Sequence, residues 1–234
     1  MTITAPVATV NAIATVPLTL QILGTPALLW TSRPGQPTTD LTDTLTRRQR
    51  ELLVFLALHP DGIARDTLAA TLWPDAPIDR PFNSLHTTLT RLRRTLKTAT
   101  DGTLIAIVTA RSEHYRLDQS TVDTDYRHFS DALTTLRTAQ TDTDRETARR
   151  QLVDSYRGEL ADGLNADWID TPREATRRDA LDAACELARS ATDPNQALDL
   201  LETARSFDPY NERISETSCE SKPSSDKPTP RPER

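Results

Sequence analysis

Residues 81–97, with the sequence PFNSLHTTLTRLRRTLK, constrain the fold more than any other stretch of the chain. At about 100° per residue, a helix over this stretch places its leucines on one narrow stripe. These leucines are Leu85, Leu89, Leu92 and Leu96. The opposite face carries polar and basic side chains, namely Asn83, Thr87, Thr90, Arg91 and Arg94. The stretch therefore predicts an amphipathic helix with one buried face.

The polar face of this helix has two interpretations. The charged face of an amphipathic helix is commonly no more than a solvated surface. A face of Arg, Asn and Thr also suits a DNA groove, because Arg pairs with guanine edges and phosphates while Asn and Thr read or position the bases. The segments on either side favour the second interpretation.

The charge of the chain permits DNA binding without requiring it. Its 234 residues carry 28 Lys and Arg against 34 Asp and Glu, a formal net charge of −6. Residues 1–120 have 12 basic and 10 acidic residues, and residues 121–234 have 16 and 24, so the halves are +2 and −8. A basic helix in the first half can dock on DNA when the acidic half lies away from it.

Cysteine usage and targeting signals indicate a cytoplasmic protein. The two cysteines, Cys185 in a helical pattern and Cys219 in a polar segment, do not form a disulfide framework. The apolar N-terminal segment lacks the basic start of a signal peptide. No run approaches the roughly 18 apolar residues of a membrane span. We therefore expect a reducing compartment and no membrane partner.

The first half alternates between strand and helix signals. Strands are predicted at 18–23 and 27–30, around a Gly24-Thr25-Pro26 turn. Three helices follow: one from the N-cap Thr46 to 59–62, one at 65–72 and one at 83–97. A hairpin of strands at 103–109 and 114–117 closes the series. This order is that of a winged helix-turn-helix, in which the third helix enters the major groove.

The hairpin of such a fold, the wing, lies along the DNA backbone. Arg111 falls at its predicted tip. It is either a phosphate or minor-groove contact or a solvated turn residue.

The second half is predicted to be entirely helical from Val122, with helices at 126–140, 145–156, 172–191 and 195–207. The last pair has the pattern of a tetratricopeptide-type hairpin. The predicted fold class is thus an α+β winged helix-turn-helix domain followed by an all-α tetratricopeptide-like helical domain. The predicted boundaries are a disordered leader at 1–17, the two domains at 18–119 and 120–215, and a disordered tail at 216–234.

Several motifs resemble those of the Streptomyces antibiotic regulatory protein family: RRQRELLVFLALHPDGIARDTLAATLWPD, NSLHTTLTRLRRTL, YRLD, VDTDYRHF and YRGELADGLNADWI. The similarity spans about residues 18–212. Members resemble an OmpR-type winged helix followed by a bacterial transcriptional activator domain. The resemblance implies an activator without a cofactor that binds tandem DNA repeats upstream of a promoter, as a possible homo-oligomer, and recruits RNA polymerase.

The resemblance also implies residue roles. The exposed face of the 83–97 helix would contact DNA, with Arg93 and Lys97 on its flank near the phosphates. The loop at 73–82 would face RNA polymerase, with Trp73 as a core residue. The exposed candidates in this loop are Asp75, Asp79 and Arg80.

The chain departs from the family in two places. It has Glu113-His114-Tyr115 in the wing where the family usually has Gly-Tyr, so a glycine turn is missing and an acidic residue stands near the expected path of the phosphates. The family also continues through further helical repeats after DPYNE. We therefore expect a C-terminally shortened activator domain, whose last helical pair needs a partner or a second copy over its apolar face.

Two other classes of function compete with this interpretation. An enzyme is disfavoured, because the four histidines fall in separate elements and no HExxH motif or phosphate-binding glycine loop is present. Asp123, Asp125 and His128 form either a metal cluster or, more simply, a linker turn and a helix start. The remaining alternative is a protein-interaction adaptor that keeps the fold but does not read DNA. Steep salt dependence distinguishes a DNA reader from such an adaptor.

Overall fold

The computed structural model describes residues 16–33 and 35–208. The predicted tail at 216–234 and nearly all of the predicted leader at 1–17 lie outside the described residues. The domain boundaries therefore stay predictions.

The described residues contain the strands β1 (Leu18–Gln21), β2 (Ala27–Thr31), β3 (Thr38–Asp40), β4 (Ile63–Ala64), β5 (Val108–Arg111), β6 (His114–Leu117) and β7 (Val122–Thr124). The α-helices are α1 (Arg47–Ala57), α2 (Arg65–Leu72), α3 (Asn83–Ala99), α4 (Asp125–Thr138), α5 (Asp142–Ser155), α6 (Asp170–Ser190) and α7 (Pro194–Phe207). Single 3-10 turns occupy Thr42–Thr44 and Asp167–Ile169. A winged helix followed by a helical region confirms the predicted fold class.

The strands form two small sheets. The first has the order β3-β2-β1-β7, with β1 antiparallel to β2 and parallel to β7. The second has the order β4-β6-β5 and contains the wing hairpin. The pairing of β7 with β1 corrects the expectation that the chain is entirely helical from Val122. The sequence did not reveal β7 because a strand of three residues is too short to show the alternation typical of strands. Its partner β1 also lies far away in the sequence.

The start of α1 is set by a capping box. The backbone N–H of Gln49 donates to Thr46 Oγ1 at 3.3 Å, and the backbone N–H of Thr46 donates to Gln49 Oε1 at 2.8 Å. Two N–H groups that a helix start leaves unpaired are thereby satisfied. The predicted N-cap at Thr46 is confirmed, and α1 then buries residues 51–57 in succession.

The first strand of the wing is shorter than predicted. The apolar run at 103–109 predicts a strand, but β5 covers only Val108–Arg111, the part that pairs with β6. Leu104 and Ile107 are buried, and Ile105 is 54% exposed. Leu104 and Ile107 therefore anchor a loop against the core, and the residues at 103–107 do not pair in a sheet.

The two halves of the chain share one hydrophobic core. The rings of Phe55 in α1 and Trp168 make a T-shaped contact, with centroids 5.0 Å apart. The N–H of Ala161 donates to the carbonyl of Ile22 at 2.7 Å, beside an isolated bridge between Leu23 and Leu160. The loop before α6 thus packs directly on the first sheet.

The carboxylate of Asp125 joins the halves at a second point. It accepts the backbone N–H of Ile22 at 2.9 Å and that of Leu23 at 3.0 Å, and Arg157 donates to it at 2.7 Å. The Asp125 side chain is only 12% exposed. The backbone N–H of Tyr126 donates to the same carboxylate at 2.8 Å, so four donors within the fold compensate this charge.

Candidate nucleic-acid interface

The two faces of α3 separate as the sequence predicts. All four leucines of its stripe are at most 4% exposed. The predicted reading residues are all exposed: Asn83, Thr87, Thr90, Arg91 and Arg94. The flanking residues Arg93 and Lys97 are also exposed. One face of α3 therefore holds the helix in the core and leaves its basic face free for a partner.

An open cleft of about 370 Å³ lies beside the N-terminal half of α3. It is lined by Thr46, Arg48, Gln49, Trp73, Asn83, Ser84, Thr87, Thr88 and Arg91. The cleft brings predicted reading residues of α3 together with the start of α1. Its polar and basic lining suits a phosphate backbone passing between the two helices.

Arg48 is a residue of this cleft that the sequence reasoning missed. Its Nη1 donates to the carbonyl of Leu72 at 2.8 Å and to the carboxylate of Glu51 at 2.6 Å. Its guanidinium lies 5.8 Å from the ring centroid of Trp73. These contacts hold Arg48 at the rim, with 49% of its side chain exposed. The only signal for this role in the sequence is the pair Arg47-Arg48, directly after the N-cap Thr46 at the start of α1.

The wing turn consists of Ser112 and Glu113, with φ of 50° and 64°. Arg111 is exposed at the end of β5, opposite His114. The structure therefore places Arg111 at the tip region of the wing, as predicted. The carboxylate of Glu113 lies 3.0 Å from Arg65 Nη1, so the acidic residue of the wing is paired within the protein.

The loop between α2 and α3 is a second exposed surface. Asp75, Asp79 and Arg80 are all exposed, and Asp79 lies within ionic contact of Arg80 at 3.5 Å. Ile78 is 99% exposed at the same loop. Trp73, predicted as a core residue, is partly buried and packs against the core. The loop thus exposes the aliphatic side chain of Ile78 among charged side chains.

The side chains of Asp123, Asp125 and His128 serve different contacts. Asp123 pairs with Arg127 and lies 2.8 Å from His128 Nε2. Asp125 is directed at the backbone of Ile22 and Leu23 instead. Among the described residues, no group of three or more His, Cys, Asp or Glu side chains is arranged to hold a metal ion.

Burial and pairing act in opposite directions on Asp123. Burial by itself raises the pKa of this carboxyl, but the hydrogen bond and charge of His128, together with Arg127, bring its pKa below the ordinary value. The shift is that of an ion pair at a helix start, between Asp123 on β7 and side chains of α4.

Residues 42–117 match the family model described as "Transcriptional regulatory protein, C terminal". That match supports a transcriptional regulator that binds DNA. It extends from the 3-10 turn before α1 to the end of β6, and so includes α3 and the wing. No curated protein matches the sequence.

A solved structure resembles most of the chain. It is Mycobacterium tuberculosis EmbR in complex with a low affinity phosphopeptide, with a TM-score of 0.63 and 21% sequence identity. The likeness covers 88% of this chain and 54% of that chain, so this chain spans about half the length of that protein. At this identity the likeness shows the fold alone. In the described part of the chain, no helix is long and apolar enough to cross a membrane.

Proposed function

We propose that this protein is a sequence-specific transcriptional regulator that reads duplex DNA by placing α3 in the major groove. The observation that carries the proposal is the division of α3 into a buried leucine stripe and an exposed face with Arg91 and Arg94. Arg is the side chain that most often makes specific contacts, because it pairs with two acceptors of guanine at once.

The surroundings of α3 support the same docking. The cleft beside it supplies Thr46 and Arg48 near the expected path of a phosphate backbone. Arg111 on the wing would meet the backbone on the other side of the reading helix. Backbone contacts of this kind orient a protein on DNA and leave sequence recognition to the helix.

We further propose that the protein is an activator in the cytoplasm and binds tandem repeats. A single winged helix buries a small surface, and a second protomer on an adjacent repeat would add avidity. The loop at 73–82 is the surface offered to RNA polymerase, because Ile78 is bare and lies among Asp75, Asp79 and Arg80. A solvent-exposed aliphatic side chain between charges is suited to a protein contact.

The first test is selection of a randomised duplex library on the purified protein, with excess competitor DNA and a salt series. We expect enrichment of a short direct repeat and an affinity that falls steeply as salt rises. The double variant Arg91→Ala/Arg94→Ala should lose the enriched motif. Arg205→Ala, which removes an exposed arginine from α7, is the matched control and should keep it.

Absence of enrichment from a folded protein would refute the DNA-reading proposal and favour the adaptor. Weak binding that is equal for all sequences would refute the reading role of α3 while leaving a general DNA contact. Transcription from a promoter carrying the repeat then tests activation. An Ile78→Ser variant should keep DNA binding and lose activation, and unchanged activation would exclude the 73–82 loop as the polymerase surface.

A further inference from the structure

The wing turn adopts a conformation that its residues do not favour. Ser112 and Glu113 both lie in the left-handed region, with φ of 50° and 64°. A two-residue hairpin turn of this kind prefers Asn or Gly at both positions, because other side chains crowd the backbone there. Such a strained turn persists when neighbouring contacts hold it in place.

Arg65, the first residue of α2, supplies two of these contacts. Its backbone N–H donates to the carbonyl of Glu113 at 2.8 Å. Its Nη1 lies 3.0 Å from Glu113 Oε1, so both the backbone and the side chain of Arg65 bind the same turn residue. The preceding strand β4 pairs with β6, which brings Arg65 to the base of this turn.

The same side chain also contacts the start of α3. The guanidinium of Arg65 lies 3.9 Å from the ring centroid of Phe82, a distance at which a cation is attracted to an aromatic face. Phe82 is the N-cap of α3, and no side-chain hydrogen bond caps this helix start. The Arg65 side chain is 26% exposed, so part of its surface is removed from water.

We propose that Arg65 is a positioning residue that links the wing to the reading helix through Glu113 and Phe82. Glu113 is then an internal counterion of Arg65 and not a charge turned against the phosphates. Arg65 sets the separation between Arg111 on the wing and Asn83 at the start of α3. The inference rests on the proposed DNA-reading function, but the link itself exists in the free protein and is testable without DNA.

The test is a charge exchange between the two partners. Arg65→Glu places a carboxylate beside those of Glu113 and Asp66 and should loosen the wing, whereas Arg65→Glu/Glu113→Arg restores an opposite pair with the wing residue. Arg65→Glu/Ser112→Arg is the matched control, because it adds the same positive charge one residue away without restoring the pair. Arg65→Gln removes the ion pair without repulsion and serves if Arg65→Glu does not fold.

Two measurements are made on each variant. The first is amide hydrogen exchange of residues 108–117 in the free protein, which should be faster in Arg65→Glu and return to the wild-type rate in the charge exchange. The second is the dissociation constant for the selected duplex. We expect affinity to fall about tenfold or more in Arg65→Glu and to recover in the charge exchange but not in the Ser112→Arg control.

Unchanged wing exchange in both Arg65→Glu and Arg65→Gln would overturn the proposal. So would recovery of DNA affinity in the Ser112→Arg control equal to that in the charge exchange, since Arg65 would then act by charge alone. If the wild-type protein binds no DNA, the proposed function fails, and the exchange rates still decide whether Arg65 holds the wing.

Discussion

Two residues of α3 that lie five positions apart have different roles, one in the core and one at the proposed DNA surface. Leu89 is 4% exposed and belongs to the core, whereas Arg94 is exposed on the opposite face. A cavity in a packed core costs stability, and loss of a surface arginine does not. The proposed orientation of α3 is therefore open to a paired test.

Arg94→Ala should weaken binding of the selected duplex by about 1–3 kcal/mol and leave the urea midpoint unchanged. Leu89→Ala should lower the free energy of unfolding by about 2–5 kcal/mol. Leu198→Ala, at a leucine that is 52% exposed, is the control for the second variant. A fully stable Leu89→Ala protein that cannot bind DNA would mean that the assigned faces are inverted.

The loss of stability at acidic pH should depend on the Asp123 carboxylate. Because the folded pKa of its carboxyl lies below the ordinary value of 3.8, the stabilisation is complete above that value and is lost as the pH falls toward the folded pKa. Asp123→Asn should therefore flatten the loss of stability as the pH falls below 3.8, measured by urea unfolding at each pH. Asp131→Asn, at an exposed position on α4, should follow the wild-type curve; an equal flattening there would contradict the assignment.

At the scale of the element, the helices were more predictable than the strands. A helix is specified by neighbours three and four residues apart, and both the α3 stripe and the Thr46 cap are visible within one short segment. A strand needs a partner, and β7 has its partner β1 in another part of the chain. Predicted α5 began at 145, one turn late, because its first residues are polar and its N-cap is Thr141.

Some residues of the candidate site were likewise predictable from the sequence and others were not. The exposed face of α3 was predictable from helical periodicity alone. Arg48 and Arg65 were not, because their roles depend on partners distant in sequence, such as the carbonyl of Leu72 and the carboxylate of Glu113. A single sequence does not show which residues a fold brings together across such distances.

The left-handed conformation of Ser112 in the wing turn predicts how substitutions there change the stability. Ser112→Asn should raise the free energy of unfolding by about 0.5 kcal/mol, because Asn tolerates the left-handed conformation and the Arg65–Glu113 pair is kept. Ser112→Val should lower it, since a branched side chain fits a positive φ poorly. Chemical unfolding checks both variants. Equal stability of the two variants would show that the turn relaxes in solution.

At the scale of the whole molecule, the winged helix and the helical half are packed as one body. Three contacts connect the halves. They are the hydrogen bond from Ile22 to the Asp125 carboxylate, the ring contact of Phe55 with Trp168, and the hydrogen bond from Ala161 to Ile22. A shared core of this kind favours a single cooperative unfolding transition. The orientation of the helical half relative to α3 is then set by the fold.

Asp125→Ala should destabilise the protein by at least about 2 kcal/mol, because it leaves the N–H groups of Ile22 and Leu23 without their acceptor. Asp125→Asn keeps one acceptor oxygen and should therefore lose less stability than Asp125→Ala. Asp154→Ala, at an exposed position on α5, is the control. Urea unfolding followed by circular dichroism and by tryptophan fluorescence should coincide in the wild type and separate in Asp125→Ala. Coincident curves in all variants would show that Asp125 does not couple the halves.

The parallel pairing of β1 with β7 has a consequence for biosynthesis. Leu18 pairs with Val122, a partner 104 positions later in the chain. A growing polypeptide on the ribosome carries β1 with one edge uncovered until the whole DNA-reading unit has been translated. Contacts so far apart are slow to form, because the intervening loop must first be closed. The last strand of this sheet to be made is thus also the one that brings the two ends of that unit together.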